Sequence, residues 1–264
     1  VCTDCANGPL NGTYTVGGAV GPNNFATLDS AIGALQGCGI NGPVVFNLQG
    51  GTHNGFTLGY VDGGNATNTI TFNGSANFGD SIVGTTSAAV DLDGASYVSF
   101  NYLYIHNTGL YVVWMHNGSH HLSFDGCYLA GDATTSSTSA VFGASNSSTS
   151  VTSLGDNASY VNLSNSTIEG NYYGISFYGS GSTSKNTGLT LIDNEFTDQY
   201  YYGIRTYYMD SVVVQGNYVS NLRNTASYGM YIYYNDNISI LENQVYGAST
   251  SGISFGYSNY TGAT

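Results

Sequence analysis

One short frame recurs six times along the later part of the chain. Two apolar residues one apart are followed, five positions on, by a third: Val98, Phe100 and Ile105; Leu122, Phe124 and Leu129; Val161, Leu163 and Ile168; Leu189, Leu191 and Phe196; Val212, Val214 and Val219; Ile238, Ile240 and Val245. Successive starts lie 24, 39, 28, 23 and 26 residues apart. A second register interleaves with the first: Gly174 to Tyr178, Gly203 to Tyr207, Gly229 to Tyr233 and Gly252 to Phe255. Units this short cannot bury a face alone, so each must stack on its neighbours. A period near 25 residues with alternating strands and no helix per unit predicts an all-β fold, a right-handed parallel β-helix. Leucine-rich repeats would need their Leu and Asn consensus, and a sandwich would not keep one frame. At about 4.8 Å per coil, roughly nine coils make a rod about 45 Å long. The long step crosses 134–153, a Ser/Thr-rich stretch that reads as an inserted loop.

The sixth position of the frame carries Asn194, Asn217 and Asn243, which predicts a ladder of side-chain amides bonded from coil to coil. Cys127 holds that position earlier in the chain and is expected as a buried free thiol. Pro9, Pro22 and Pro43 all precede the repeats, as uninterrupted backbone ladders require. The one helical pattern, Phe25 to Gln36, puts Phe25, Leu28, Ile32 and Leu35 on one face, with Asn24 as N-cap and Gly37 and Gly39 at its end. The expected organisation is therefore an N-terminal strand or loop with a capping helix over 1–43 and coils over 44–264.

Charge narrows the function. With 3 Lys or Arg against 16 Asp or Glu, the formal net charge is -13, which repels nucleic acid and anionic membrane surfaces. Charged residues at 7% cannot support a coiled coil, and 41% hydrophobic residues exclude a disordered chain. No apolar run has membrane-spanning length, so no membrane insertion is expected. Val1 in place of Met reads as a processed or excerpted chain. A disulfide from Cys2 or Cys5 to Cys38 is expected, because no second ligand pair matches the Cys2 and Cys5 spacing for zinc. Ten Asn-x-Ser/Thr sequons mark glycosylation candidates: Asn11, Asn65, Asn73, Asn117, Asn146, Asn157, Asn162, Asn165, Asn237 and Asn259.

The strings Asn11-Gly-Thr-Tyr-Thr-Val-Gly-Gly, Phe25-Ala-Thr-Leu-Asp-Ser-Ala-Ile-Gly-Ala-Leu, Gly42-Pro-Val-Val-Phe-Asn-Leu and Thr69-Ile-Thr-Phe carry a resemblance. The chain resembles right-handed parallel β-helix domains of large secreted, adhesin-like surface proteins of the Bacteroidetes type. That resemblance implies a helical cap on the first coil, secretion and a longer parent polypeptide. It also implies O-glycosylation at Asp-Ser followed by a small or aliphatic residue, for which Ser81 and Ser211 are better candidates than Ser30 in the helix.

The same fold carries pectate-lyase-like and polygalacturonase-like enzymes, so catalysis is weighed on residues. Lyases of that kind need cations beside a Ca²⁺ site, and only Lys185, Arg205 and Arg223 exist, with Arg205 alone on a strand. Asp91 and Asp93 share a strand face, and Asp193, Glu195 and Asp198 cluster near a turn; both read as solvated carboxylates. His116, His120 and His121 surround an Asn117-Gly118 turn without a carboxylate or thiol at ligand spacing, so no metal and no cofactor is expected. Alternation points Tyr178, Tyr207 and Tyr233 outward on successive coils, as candidate carbohydrate- or partner-binding residues. The resulting expectation is an extracellular structural or adhesive surface protein, a segment of a glycosylated fibre or long adhesin. Its partners would be neighbouring coils or a second copy at the C-terminal end, and glycans. The alternative is a polysaccharide-active β-helix lyase or hydrolase.

Overall fold

The computed structural model describes Cys5 and residues 8–19, 21–258 and 260–263. Cys2 and Asn259 lie outside the described residues. The chain winds through three parallel sheets in turn, one short strand in each per coil, for about nine turns. The first sheet has eleven strands, from Asn24–Phe25 and Leu10–Val16 through Ile40–Leu48 to Asp236–Leu241 and Tyr260–Ala263. The second has eight short strands from Thr52–Asn54 to Gln244–Val245, and the third eight from Phe56–Gly59 to Ser251–Gly256. Every pairing along these sheets is parallel, which gives the right-handed β-helix expected from the frame.

The frame residues form inward columns. Phe46, Phe72, Phe100 and Phe124 stack ring on ring at 5.3, 5.2 and 4.7 Å and are continued by Leu163, Leu191 and Val214, all fully buried. The second sheet supplies Ile82, Ile105, Leu129, Ile168, Phe196 and Val219. At the corner between these sheets runs the polar ladder. The N–H of Cys127 donates to Ser166 Oγ, that of Ser166 to Asn194 Oδ1, that of Asn194 to Asn217 Oδ1 and that of Asn217 to Asn243 Oδ1, at 2.9–3.1 Å. Each corner thus satisfies its backbone from the coil above. Cys127 is free and buried, and burial pushes its thiol up to about 12.

Four expectations are corrected. The helix runs Leu28–Cys38, not Phe25 to Gln36, because Thr27 and Ser30 form a reciprocal capping box. Asn24 is no cap: with Phe25 it pairs in parallel with Thr15 and Val16, and the Phe25 ring packs on Tyr14 and Phe46. The sheet begins before residue 44, since Leu10–Val16 pairs with Ile40–Leu48, and Pro43 falls where that register shifts. Finally, 134–153 is not all loop. Ala140–Ala144 is a strand of the third sheet, buried on both faces because the following segment folds back over it. The helix lays Leu28, Ala31, Ile32 and Leu35 over the first coil, and Cys38 is bonded to Cys5.

Candidate functional site

The outer face of the third sheet carries tyrosine in columns. Tyr178, Tyr207 and Tyr233 are in register on consecutive strands, with ring centroids 4.8 and 6.1 Å apart. Five residues earlier on the same strands, Tyr173, Tyr202 and Tyr228 form a second rail at 5.3 and 5.4 Å, both steps 11° from coplanar. A third runs along the corner, where Tyr208, Tyr234 and Tyr257 stack at 5.2 and 5.1 Å with φ of 56°, 57° and 51°. Left-handed backbone is unusual for an aromatic residue, and here it turns three rings out at successive coils.

Arg205 lies between the first two rails. Its guanidinium sits 5.0–5.5 Å from the ring centres of Tyr173, Tyr178, Tyr202 and Tyr207 and donates to the hydroxyls of Tyr173 at 3.0 Å and Tyr178 at 2.9 Å. Burial pushes the Tyr173 phenol up to about 12, with Arg205 opposing, and raises Tyr178 and Tyr202 for the same first cause. The other two cations are also engaged internally. Lys185 pairs with Asp236 at 2.6 Å, and Arg223 donates to the carbonyls of Asp198 and Thr134 beside the Tyr200 ring.

Towards the N-terminal end of the same face, Trp114 and Tyr111 form a small outer core covered by Val151 of the 145–157 segment. Beyond them His116 is held between two carboxylates, Nε2 2.7 Å from Asp91 and Nδ1 3.6 Å from Asp93, with its ring 3.8 Å from that of Trp114. Thr57 donates to the other Asp91 oxygen at 3.1 Å. The aspartates that read as solvated are therefore partnered by a histidine one coil away. His120 and His121 lie on the first sheet instead, so the three histidines around the Asn117-Gly118 turn do not converge. Among the described residues no three His, Cys, Asp or Glu side chains are placed to hold a metal ion. Asp193, Glu195 and Asp198 lie along the corners around Glu195–Thr197, Asp193 and Asp198 with positive φ.

Grooves elsewhere among the described residues include two on other faces. One of about 530 Å³ runs between Thr108, Asp132, Asn171 and the 133–139 segment. The other, of about 330 Å³, lies on the outer face of the first sheet beside His121 and Tyr160.

The glycosylation candidates fall into distinct settings. Asn11, Asn65, Asn117, Asn146, Asn162, Asn165 and Asn237 are exposed, and so is Ser211, while Ser81 is half-buried on the second sheet. Asn73 is half-buried in an outer amide ladder, donating to Asn47 at 3.0 Å and accepting from Asn101 at 2.9 Å. Asn157 is 1% exposed, which corrects its candidacy: the folded chain leaves no room for a sugar there.

Comparison with known proteins agrees on architecture. Residues 149–263, a little under half the chain, match a family model described as a right handed beta helix region. A sequence search of curated proteins finds no match. Among solved structures, the chain is similar to pectin methylesterase from Aspergillus niger in its deglycosylated form, with TM-score 0.56 and 15% identity, over 96% of this chain and 91% of that one. A penultimately deglycosylated form of that enzyme matches at 0.55 and 16%, over the same shares. At such identity the likeness is one of fold.

Proposed function

We propose that this chain is an extracellular structural or adhesive surface protein whose contact surface is the tyrosine face of the third sheet. The observation that carries this reading is the pair of rails, Tyr173, Tyr202 and Tyr228 beside Tyr178, Tyr207 and Tyr233, braced by Arg205. Stacked tyrosines give a rigid surface with apolar rings and polar tips, which suits sugar rings or another protein and loses little side-chain freedom on contact. The Cys5–Cys38 bond supports an oxidising compartment, and the exposed sequons suit a glycosylated surface. Joining to another coil belongs to the same reading. Ile253 and Phe255 are 40% and 46% exposed where Ile204, Met230 and Ile232 below them are fully buried, and a further coil of this or a second chain would cover them.

The test is retention of fluorescently labelled protein on polysaccharide-coated and matrix-coated surfaces. The Tyr207→Ala, Tyr233→Ala double variant should lose most of it while keeping its β-sheet circular dichroism spectrum. Undiminished retention would refute the assignment to this face.

A second reading, a polysaccharide-active enzyme, is favoured by the Asp91, His116 and Asp93 cluster against Trp114, in a fold shared with a pectin methylesterase. Methanol released from methyl-esterified pectin by the wild type, and lost in Asp91→Asn, would put that reading first.

A further inference from the structure

On the first sheet, one position per coil steps out of the ladder. Pairing runs Ser96 to His120 and then Val98 to Leu122, skipping Tyr97 and His121, and the next coil skips Tyr160 in the same way. These three residues have φ of 58°, 54° and 54°. Their rings form a stack, Tyr97 on His121 at 4.6 Å and His121 on Tyr160 at 4.6 Å. Holding three aromatic residues in left-handed backbone costs on the order of 1 kcal/mol each, so the fold retains the stack against local preference.

At the next coil the stack stops, because the skipped position is Gly188. A Cβ there would come within 2.8 Å of the Tyr160 ring, so Tyr160 leans over a position where no fourth side chain fits. Beside it lies the groove of about 330 Å³. One wall is the His121 and Tyr160 rings, Tyr160 being 50% exposed. The floor is Ser123, Asn162 and Thr190, in register on three consecutive strands about 4.8 Å apart.

We propose that this groove is a binding subsite for a neutral saccharide, whose pyranose ring packs on Tyr160 while its hydroxyls bond Ser123, Asn162 and Thr190. A pyranose has the two features the groove complements, a C–H face for an aromatic wall and a rim of donors and acceptors for hydroxyls and an amide. The lining carries no Lys or Arg, and the chain's net charge of -13 opposes a polyuronate or a nucleobase on its phosphate backbone. Burial, and then His120, lower the His121 pKa below the ordinary 6.5, which disfavours a cation in this wall. The subsite lies on a different sheet from the tyrosine rails and does not depend on them.

The test uses the full chain made without N-glycosylation, so that Asn162 is bare. Cellohexaose, xylohexaose and mannohexaose serve as neutral probes and oligogalacturonate as the acidic one, with affinity from calorimetry and location from backbone amide shifts. At least one neutral probe should shift the amides of Ser123, Asn162, Gly188 and Thr190. Tyr160→Asn, which keeps a residue tolerant of left-handed backbone, should weaken it about three- to tenfold, the size of one ring contact. Thr190→Trp should block the groove. The proposal is overturned if no neutral probe moves those amides, if oligogalacturonate binds as tightly, or if Tyr160→Asn and Thr190→Trp both bind as the wild type does.

Discussion

Replacing Asn217 tests whether the corner ladder holds the coils in register. Asn217 is 1% exposed. Its Oδ1 accepts from the Asn194 N–H at 3.1 Å and from Asn194 Nδ2 at 2.9 Å, and its Nδ2 donates to the carbonyls of Leu191 and Gln215 and to Asn243 Oδ1 at 2.9–3.0 Å. In Asn217→Ala the Asn194 side chain keeps its bond to the Leu163 carbonyl at 2.8 Å, but the Asn194 N–H loses its acceptor. One buried unsatisfied donor costs about 1–3 kcal/mol, and the void left by the amide adds to it, so a loss of about 2–4 kcal/mol is expected.

Asn217→Ser is the control, because the ladder already contains a serine. Ser166 Oγ accepts the Cys127 N–H at 3.0 Å, so a hydroxyl at 217 can accept from Asn194 in the same way. The alanine and serine variants should therefore differ by about 1–2 kcal/mol, the share of that one N–H. A solenoid can open locally, so the readout is native-state hydrogen exchange at the Asn194 amide together with urea unfolding. A local loss of about 2 kcal/mol speeds exchange there roughly thirtyfold. Equal exchange in the two variants, or an alanine variant within about 0.5 kcal/mol of wild type, would refute the reasoning.

Three further outcomes are expected. Tyr173, pushed up to about 12, and Tyr178, Tyr202 and Tyr231, raised with burial as first cause, all titrate above their unfolded value of 10.0. Their contribution to stability is complete below pH 10 and is lost as pH rises through the folded values, so the melting temperature should fall as tyrosinate absorbance appears; one that stays level across that absorbance change contradicts it. Reducing the Cys5–Cys38 bond, which spans 33 residues, should cost about 3.5–4 kcal/mol, seen as faster exchange in the Leu28–Cys38 helix with the Asn ladder amides unchanged; equal loss in both would show that the bond does more than hold the cap. Ile253→Lys should lower any self-association detected by light scattering, and identical particle masses for both proteins would remove that end from the assembly.

The coils were legible because a solenoid repeats both its apolar period and its corner chemistry. Val98 and Phe100 predict the inward column that Leu122 and Phe124 continue, and Asn194, Asn217 and Asn243 announce the ladder that the structure contains. Ala140–Ala144 was hidden for the opposite reason. Both its faces are buried, so alternation disappears and small residues among Ser and Thr look like loop. The rail of Tyr173, Tyr202 and Tyr228 is hidden in the sequence by a local irregularity. Tyr173 and Tyr178 would point to opposite sides of an ideal strand, yet both face outward, because the ladder skips Gly174. A Cβ on Gly174 would sit 2.5 Å from the Gly203 carbonyl oxygen, so this close approach of coils depends on glycine at that place.

The sites themselves are products of stacking. His116 meets Asp91 and Asp93 only because the coils put positions 116 and 93 opposite each other, and Arg205 meets Tyr173 and Tyr178 across one coil step. Once the register is known, these meetings follow from spacing; before it is known, the residues are scattered polar letters more than 20 apart. The register also settles what charge can do on this surface. Arg205, Lys185 and Arg223 are all turned to partners within the chain, so the outer faces meet their surroundings through rings, amides, hydroxyls and carboxylates. Contacts made by stacked rings and hydroxyls involve no release of counterions from a basic patch. Recognition on the proposed surfaces, the tyrosine rails and the groove beside Tyr160, would therefore depend on shape and hydrogen bonding, with salt affecting only the long-range repulsion of acidic partners.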